Sequence, residues 1–288
     1  MRPYEGLLTA VVTPFRSDLS VNEEAAVAIG RHLLQNGSDG LVIAGTTGEA
    51  ATMTDEEQIE LVRLLVGELG DEGTIVAGAG SNNTHHAAEL TERVIGAGAQ
   101  AVLSVTPYYN KPNRRGIIRH FEEVARAAGG VPVIPYNIPG RTAVNMGPEL
   151  LAELAQIDGI EAVKQANSDE LQPIDGLAVL AGNDDILARN LDQGGAGGIC
   201  VASHVVGDEM KRLFDEPDAR AEIDANLRDV YSTLFLTASP TCTKAALKLL
   251  GHDVGGCRLP MVEADERETA EVKAMLERHG LLQGAATA

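Results

Sequence analysis

Six lysines occur in the chain, and five of them have ordinary surroundings. Lys111 lies in a loop between prolines, while Lys211, Lys244, Lys248 and Lys273 fall on stretches with helical periodicity. The sixth, Lys164, stands in Glu161-Ala-Val-Lys-Gln-Ala166, a short run with the character of a β-strand. A strand walled in on both faces offers an ammonium no water, so the group must find a counter-charge or give up its proton. Burial draws a lysine from ~10.4 toward ~7–8, and the neutral amine so released attacks carbonyl carbon to form an imine. The plain alternative is an ion pair with Glu161 or Asp184. The surrounding residues have to decide between the two.

Three other segments offer groups that fit imine chemistry. Gly45-Thr46-Thr47-Gly48-Glu49 combines flexible glycines, successive backbone N–H groups and two hydroxyls, which together make a small anion site. No basic residue adjoins it, so a carboxylate suits it better than a phosphate; a simple strand-to-helix turn is the bland reading. Thr106-Pro107-Tyr108-Tyr109-Asn110 and Tyr136-Asn137-Ile138-Pro139-Gly140-Arg141-Thr142 carry three of the five tyrosines in the chain. Tyrosine hydroxyls pass protons, and a hydroxyl chain through Thr46 would link them to a carbonyl bound at Lys164. Arg141 offers a planar fork that matches a carboxylate. Each aromatic taken singly reads as packing; their convergence on a strand lysine favours a site.

The elements that must position these groups follow from hydrophobic patterning. Strand-like runs at 7–12, 40–44, 74–78, 101–105, 131–137, 161–165, 177–181 and 198–202 alternate with helical stretches near 22–36, 54–69, 83–97, 115–128, 148–156, 168–176, 185–194 and 204–214. Eight βα units predict an α/β fold, a closed (β/α)8 barrel of about 250 residues with its site at the C-terminal ends of the strands. Thr54-Asp55-Glu56-Glu57 is a capping box that starts the second helix. Residues 217–288 read as a C-terminal helical region without strands, with an apolar stripe at Leu227, Tyr231, Leu234 and Phe235 that either covers the barrel wall or meets another subunit. The whole is expected to be one domain, with the barrel over residues 1–216. Pro135 sits badly inside the fifth strand and calls for a bulge or a local break.

Other candidates are weaker. Gly194-Gly195-Ala196-Gly197-Gly198 resembles a phosphate loop but precedes a strand, so it reads as a tight helix-to-strand turn at the far end of the barrel. His85 and His86 diverge by roughly 100° on a helix and do not chelate one metal. His204, near the eighth rim, is a further candidate for a site role.

Composition bounds the partners. A formal charge of −19 and a pI near 4.7 oppose binding to nucleic acid or anionic membranes. The acid excess is spread over the helices, which fits an ordinary acidic cytosolic enzyme or, more sharply, a protein adapted to a high-salt cytoplasm, where screening relieves self-repulsion. Three sparse cysteines (Cys200, Cys242, Cys257) without metal-ligand spacing indicate a reducing, cytoplasmic setting. No run of eighteen apolar residues occurs, so no membrane span is expected, and residues 1–6 lack the pattern of a signal peptide.

From Thr13-Pro14 to Arg258-Leu259-Pro260-Met261, and most strongly at residues 45–49, 105–110, 136–142, Lys164 and Gly182-Asn183-Asp184, the sequence resembles the dihydrodipicolinate synthase and N-acetylneuraminate lyase family of class I aldolases. The resemblance implies a β/α barrel with a helical C-terminal region, assembled as a homotetramer of two tight dimers. It is nearest to the members that condense pyruvate with L-aspartate 4-semialdehyde on the route to diaminopimelate and lysine. It implies that Lys164 forms the imine with pyruvate, that Thr47, Ile199 and Gly182 frame the substrate, and that Tyr136 moves protons through Thr46 and Tyr109. Tyr109 matches the tyrosine lent by a neighbouring subunit, and Arg141 matches the group that holds the second substrate's carboxylate. No metal or organic cofactor is implied. His86, Asp55 and Gln58 depart from the pattern of lysine-inhibited relatives, whereas Asn82 and Tyr108 match it. A 2-keto-3-deoxy sugar-acid aldolase of the same family, a non-catalytic keto-acid-binding barrel and, on weaker grounds, a metal-dependent aldolase are the competing readings.

Overall fold

The structure is a computed structural model that describes residues 2–282. Eight parallel strands close in sequence order: β1 (Gly6–Ala10), β2 (Gly40–Ile43), β3 (Thr74–Gly78), β4 (Ala101–Val105), β5 (Val133–Asn137), β6 (Ala162–Gln165), β7 (Ala178–Ala181) and β8 (Gly197–Cys200), with β8 pairing back onto β1. The closure is tightest at Gly197, where a Cβ would lie 2.0 Å from the Gly6 carbonyl oxygen and where φ is +144°, so only glycine fits. The glycine run at 194–198 is therefore the turn from helix to strand that its position predicts.

Alternation along the strands divides the core in two. Leu8, Val42, Val76, Ala101, Ile134, Ala162, Leu180 and Ile199 fill the interior of the cylinder, with Tyr4 at its floor. Residues one step away, such as Leu7, Ile75, Val133 and Val163, pack against the helices outside. Full burial of side chains such as Leu8 and Leu180 stabilises the fold by roughly 2 kcal/mol each.

Helices α1 (Glu23–Gln35), α2 (Asp55–Leu69), α3 (Thr84–Gly96), α4 (Arg114–Ala128), α5 (Pro139–Thr142), α6 (Pro148–Leu154) and α7 (Leu187–Asp192) connect the strands, and α8 (Ser203–Asp215) follows the last of them. Asn22, Thr54, Asn83 and Asn113 cap the first four with their side chains, and Thr54 forms the full capping box with Glu57. Two connections differ from the sequence pattern. The helix expected over 168–176 is absent: a single 3-10 turn, Ser168–Glu170, is followed by irregular chain. Pro173 removes a helical donor and Gly176 takes a φ of +79°, so the amphipathic spacing has no backbone able to carry it. Conversely, α5 forms within the loop after β5, with Pro139 at its start and Ala143 left-handed at its end.

Pro135 is accommodated by its neighbour. Val133 pairs with Ile160, but Tyr136 pairs with Lys164, so three steps along β5 match four along β6. The surplus residue is a bulge at Glu161 and Ala162. The Glu161 carbonyl, which a regular ladder would turn toward the missing N–H of Pro135, accepts instead from Ala178 N–H of β7 at 2.9 Å. Sidedness changes there: Ile160 faces the outer shell, Ala162 faces the interior, and Lys164, two residues on, faces the interior as well.

Beyond the barrel lie α9 (Arg220–Leu234), α10 (Thr241–Leu249) and α11 (Glu266–Arg278). Leu227, Tyr231 and Leu234 are buried against the barrel shell, whereas Phe235 is 43% exposed and leaves the stripe. Residues 283–288 of the expected C-terminal region lie outside the described residues. Among those described, no helix is long and apolar enough to cross a membrane.

Candidate active site

Lys164 reaches the upper interior of the barrel from β6 and is 6% exposed. Its Nζ lies 4.3 Å from the centre of the Tyr136 ring, the residue paired with it on β5. Neither carboxylate that might have neutralised it does so. Glu161 points to the floor and accepts the Tyr4 hydroxyl at 2.8 Å. Asp184 Oδ1 accepts the N–H groups of Val201 and Ala202 at 2.9 and 2.8 Å. Burial lowers the Lys164 pKa to about 8, Cys200 and Asp184 hold it up in part, and the Arg141 charge presses it down further. The result is an amine whose neutral form is well populated slightly above neutral pH.

Tyr136 is buried in the same space, and desolvation raises its pKa, with Arg141 opposing. Burial thus keeps its hydroxyl in the neutral form, in which it can donate a hydrogen bond or a proton. Ile199 on β8 lies one strand beyond β7 and is 1% exposed, forming an apolar wall. Gly182 follows β7; a Cβ there would lie 2.8 Å from the Ala166 Cβ, so the close approach of the sixth and seventh rims needs glycine.

The residues 45–49 turn stands over the second rim. Thr47 is buried and accepts from Ser239 Oγ at 3.2 Å, while Thr46 is exposed at the mouth. The turn closes on itself through Glu49 N–H to Thr46 O and Ala50 N–H to Gly45 O. Arg141, placed by α5, is exposed and forms no ion pair among the described residues, yet its charge is felt at both Lys164 and Tyr136. Its fork is free for a ligand.

Tyr109 stands apart from these groups. It is 88% exposed, with a left-handed φ of +70°, and no hydrogen bond joins it to Thr46 or Tyr136 among the described residues. Tyr108 beside it is 39% exposed. His204 is committed elsewhere: its Nδ1 bonds the Val201 carbonyl at 2.7 Å and its Nε2 accepts from Val12 N–H at 3.3 Å, linking the first and eighth rims. Burial pulls its pKa to about 4, so it is neutral. His86 binds the Asp55 carboxylate at 2.9 Å and Ser81 at 3.1 Å, which joins two of the positions singled out above. A cleft of about 510 Å³ opens outside the barrel between Arg114 and Val144, but it includes none of the groups around Lys164. No cluster of three or more metal-ligating side chains occurs among the described residues.

One arrangement lay beyond sequence reasoning. Lys244 is a second buried lysine, on α10, and its Nζ donates to Glu49 Oε1 at 2.6 Å. Its only sequence signal is its place among Ala245, Ala246 and Leu247, on a helix that buries most of its circumference.

The fold and these groups define a barrel aldolase, and comparison with known proteins agrees. The chain belongs to the dihydrodipicolinate synthetase family, whose pattern matches residues 3–279. It is 41% identical over 287 residues to the 4-hydroxy-tetrahydrodipicolinate synthase of Heliobacterium modesticaldum, covering 96% of this chain and 95% of that one. It is 39% identical over 288 residues to the enzyme of the same name from Desulforudis audaxviator, covering 96% and 98%. Among solved structures, a dihydrodipicolinate synthase from Cyanidioschyzon merolae with lysine bound superposes with a TM-score of 0.93 at 36% identity, covering 98% of this chain and all of that one.

Proposed function

We propose that the protein works as a 4-hydroxy-tetrahydrodipicolinate synthase, a lyase of the class I aldolase type that joins pyruvate to L-aspartate 4-semialdehyde. The observation that carries the reading is Lys164: buried, unpaired, and set beside Tyr136 within the barrel. Its neutral amine adds to C2 of pyruvate, and loss of water leaves the protonated imine. Loss of a proton from C3 gives the enamine, with the imine nitrogen taking up the electron pair. The enamine carbon attacks the aldehyde carbon of the second substrate. That substrate's own amine then displaces the Lys164 amine at C2 and closes the ring.

Tyr136 carries protons between these steps, with Thr46 as the intermediate hydroxyl. Thr47 and its neighbouring N–H groups receive the pyruvate carboxylate, Ile199 and Gly182 shape the space beside it, and Arg141 takes the carboxylate of the semialdehyde. Tyr109, too exposed to serve its own chain, completes the relay in an adjoining subunit of a homotetramer. The competing sugar-acid aldolase would share Lys164 and Tyr136 but would set hydroxyl partners where Arg141 stands. Three unpaired cysteines support a reducing, cytoplasmic setting, and the spread of acidic side chains supports adaptation to high salt.

Treatment with pyruvate and borohydride, followed by mapping of the adduct, tests the centre of the proposal. Modification is expected at Lys164, together with turnover of aspartate semialdehyde and none of keto-deoxy-gluconate. An adduct on another lysine, or no adduct, would remove the basis for the reading.

A further inference from the structure

The turn that carries Thr46 and Thr47 is held from outside the barrel. Glu49, at its end, has a left-handed φ of +57° and a side chain 1% exposed. Its Oε1 accepts from Lys244 Nζ at 2.6 Å and its Oε2 from the Arg258 backbone N–H at 2.8 Å. Lys244 also donates to the Gly256 carbonyl at 2.7 Å and lies 4.4 Å from the centre of the Phe15 ring. The Arg258 guanidinium lies equally close to that ring and holds both oxygens of Glu57, at 2.6 and 2.8 Å, and the Thr52 carbonyl at 2.9 Å. Ser239, just before α10, donates to Thr47 Oγ1 at 3.2 Å. The far side of the turn is thus held by Ser239, by α10 and by the chain that follows it, while Thr13 Oγ1 donates to the Gly48 carbonyl at 2.6 Å from the first rim.

A buried ion pair is a poor source of stability compared with apolar packing of the same volume, so its presence asks for another reason. What it supplies is a fixed geometry: two short charged contacts that tolerate little displacement. Because each charge is met by the other, the pair leaves no uncompensated charge in the turn.

We propose that Lys244, Glu49 and Ser239 are positioning residues, which fix the Thr46-Thr47 turn so that it meets the carboxylate of a keto acid bound at Lys164. The helical region after the barrel is in this way part of the substrate site. The proposal rests on the pyruvate reading above and extends it to side chains that touch neither substrate.

The test uses Lys244→Met, the double variant Glu49→Gln/Lys244→Met, which leaves no lone buried charge, and the milder Ser239→Ala. Enzyme concentration is set by borohydride trapping at saturating pyruvate, so that any unfolded fraction drops out of the rate constants. The KM for pyruvate is expected to rise about tenfold in the ion-pair variants and by about threefold in Ser239→Ala. The kcat per trapped site should stay within about twofold, and the KM for the semialdehyde should not move. An unchanged pyruvate KM in every variant that traps overturns the assignment, as does an equal rise in both KM values, which would signify general loosening. Failure of the unaltered enzyme to trap pyruvate sinks the reading of the reaction and this proposal with it, whereas a flat pyruvate KM sinks this proposal alone.

Discussion

Two lysines are withdrawn from water in this molecule, and they do opposite things. Lys244 meets a carboxylate at 2.6 Å and is spent on structure. Lys164 meets none, and its pKa falls to about 8. The sign of the pH dependence follows: below 8 the ammonium dominates and cannot attack, and above 8 the free amine does. The rate of pyruvate trapping at Lys164 should therefore climb through a midpoint near 8. Asp184 holds that midpoint up, so Asp184→Asn, which keeps an acceptor for Val201 and Ala202, should move it to lower pH. A titration of trapping rate against pH that is the same in both proteins would deny Asp184 any electrostatic role. Lys164 was legible from sequence because a charge in an apolar strand is conspicuous. Lys244 was not, because its partner lies 195 positions away and its own segment reads as an ordinary helix. The rim tyrosines read as a proton relay from their residue type and the resemblance singles out Tyr109 among them, but its exposure on the isolated chain is a fact that only the fold supplies.

At the level of elements, the eight strands were readable because parallel barrel strands are short, buried on both faces and flanked by helix caps. β3 and β4 have the expected bounds, and the others differ at their ends by one or two residues. The segment after β6 has the apolar spacing of a helix, but Pro173 and the left-handed Gly176 deny it a helical backbone. The proline in β5 raised the right question, and its answer lay on the adjacent strand. Since the Glu161 carbonyl already serves Ala178, an N–H restored at position 135 would face no free acceptor. Pro135→Ala should thus destabilise the protein by about 1–3 kcal/mol, although removing proline from a strand would ordinarily help. Urea unfolding compared with the unaltered protein measures the difference; a gain in stability would mean that the bulge does not exist to suit the proline.

For the molecule as a whole, charge and closure are the governing features. With 42 acidic against 23 basic side chains, repulsion is spread across the shell, and the screening length shrinks from ~10 Å at 0.1 M salt to ~3 Å at 1 M. The midpoint of thermal unfolding should rise by several degrees between low and molar potassium chloride; a flat or falling midpoint would end the salt-adapted reading. Closure has a different consequence. Tyr4 and the packed layers above it fill the barrel floor, so the Lys164 amine is approached from the rim at the C-terminal ends of the strands. Whatever reacts first at the deep amine is overlaid by whatever arrives second, and the fused product must depart by the path along which both came. In the reaction proposed above, the keto acid therefore has to enter ahead of the aldehyde, and the product departs over the same rim.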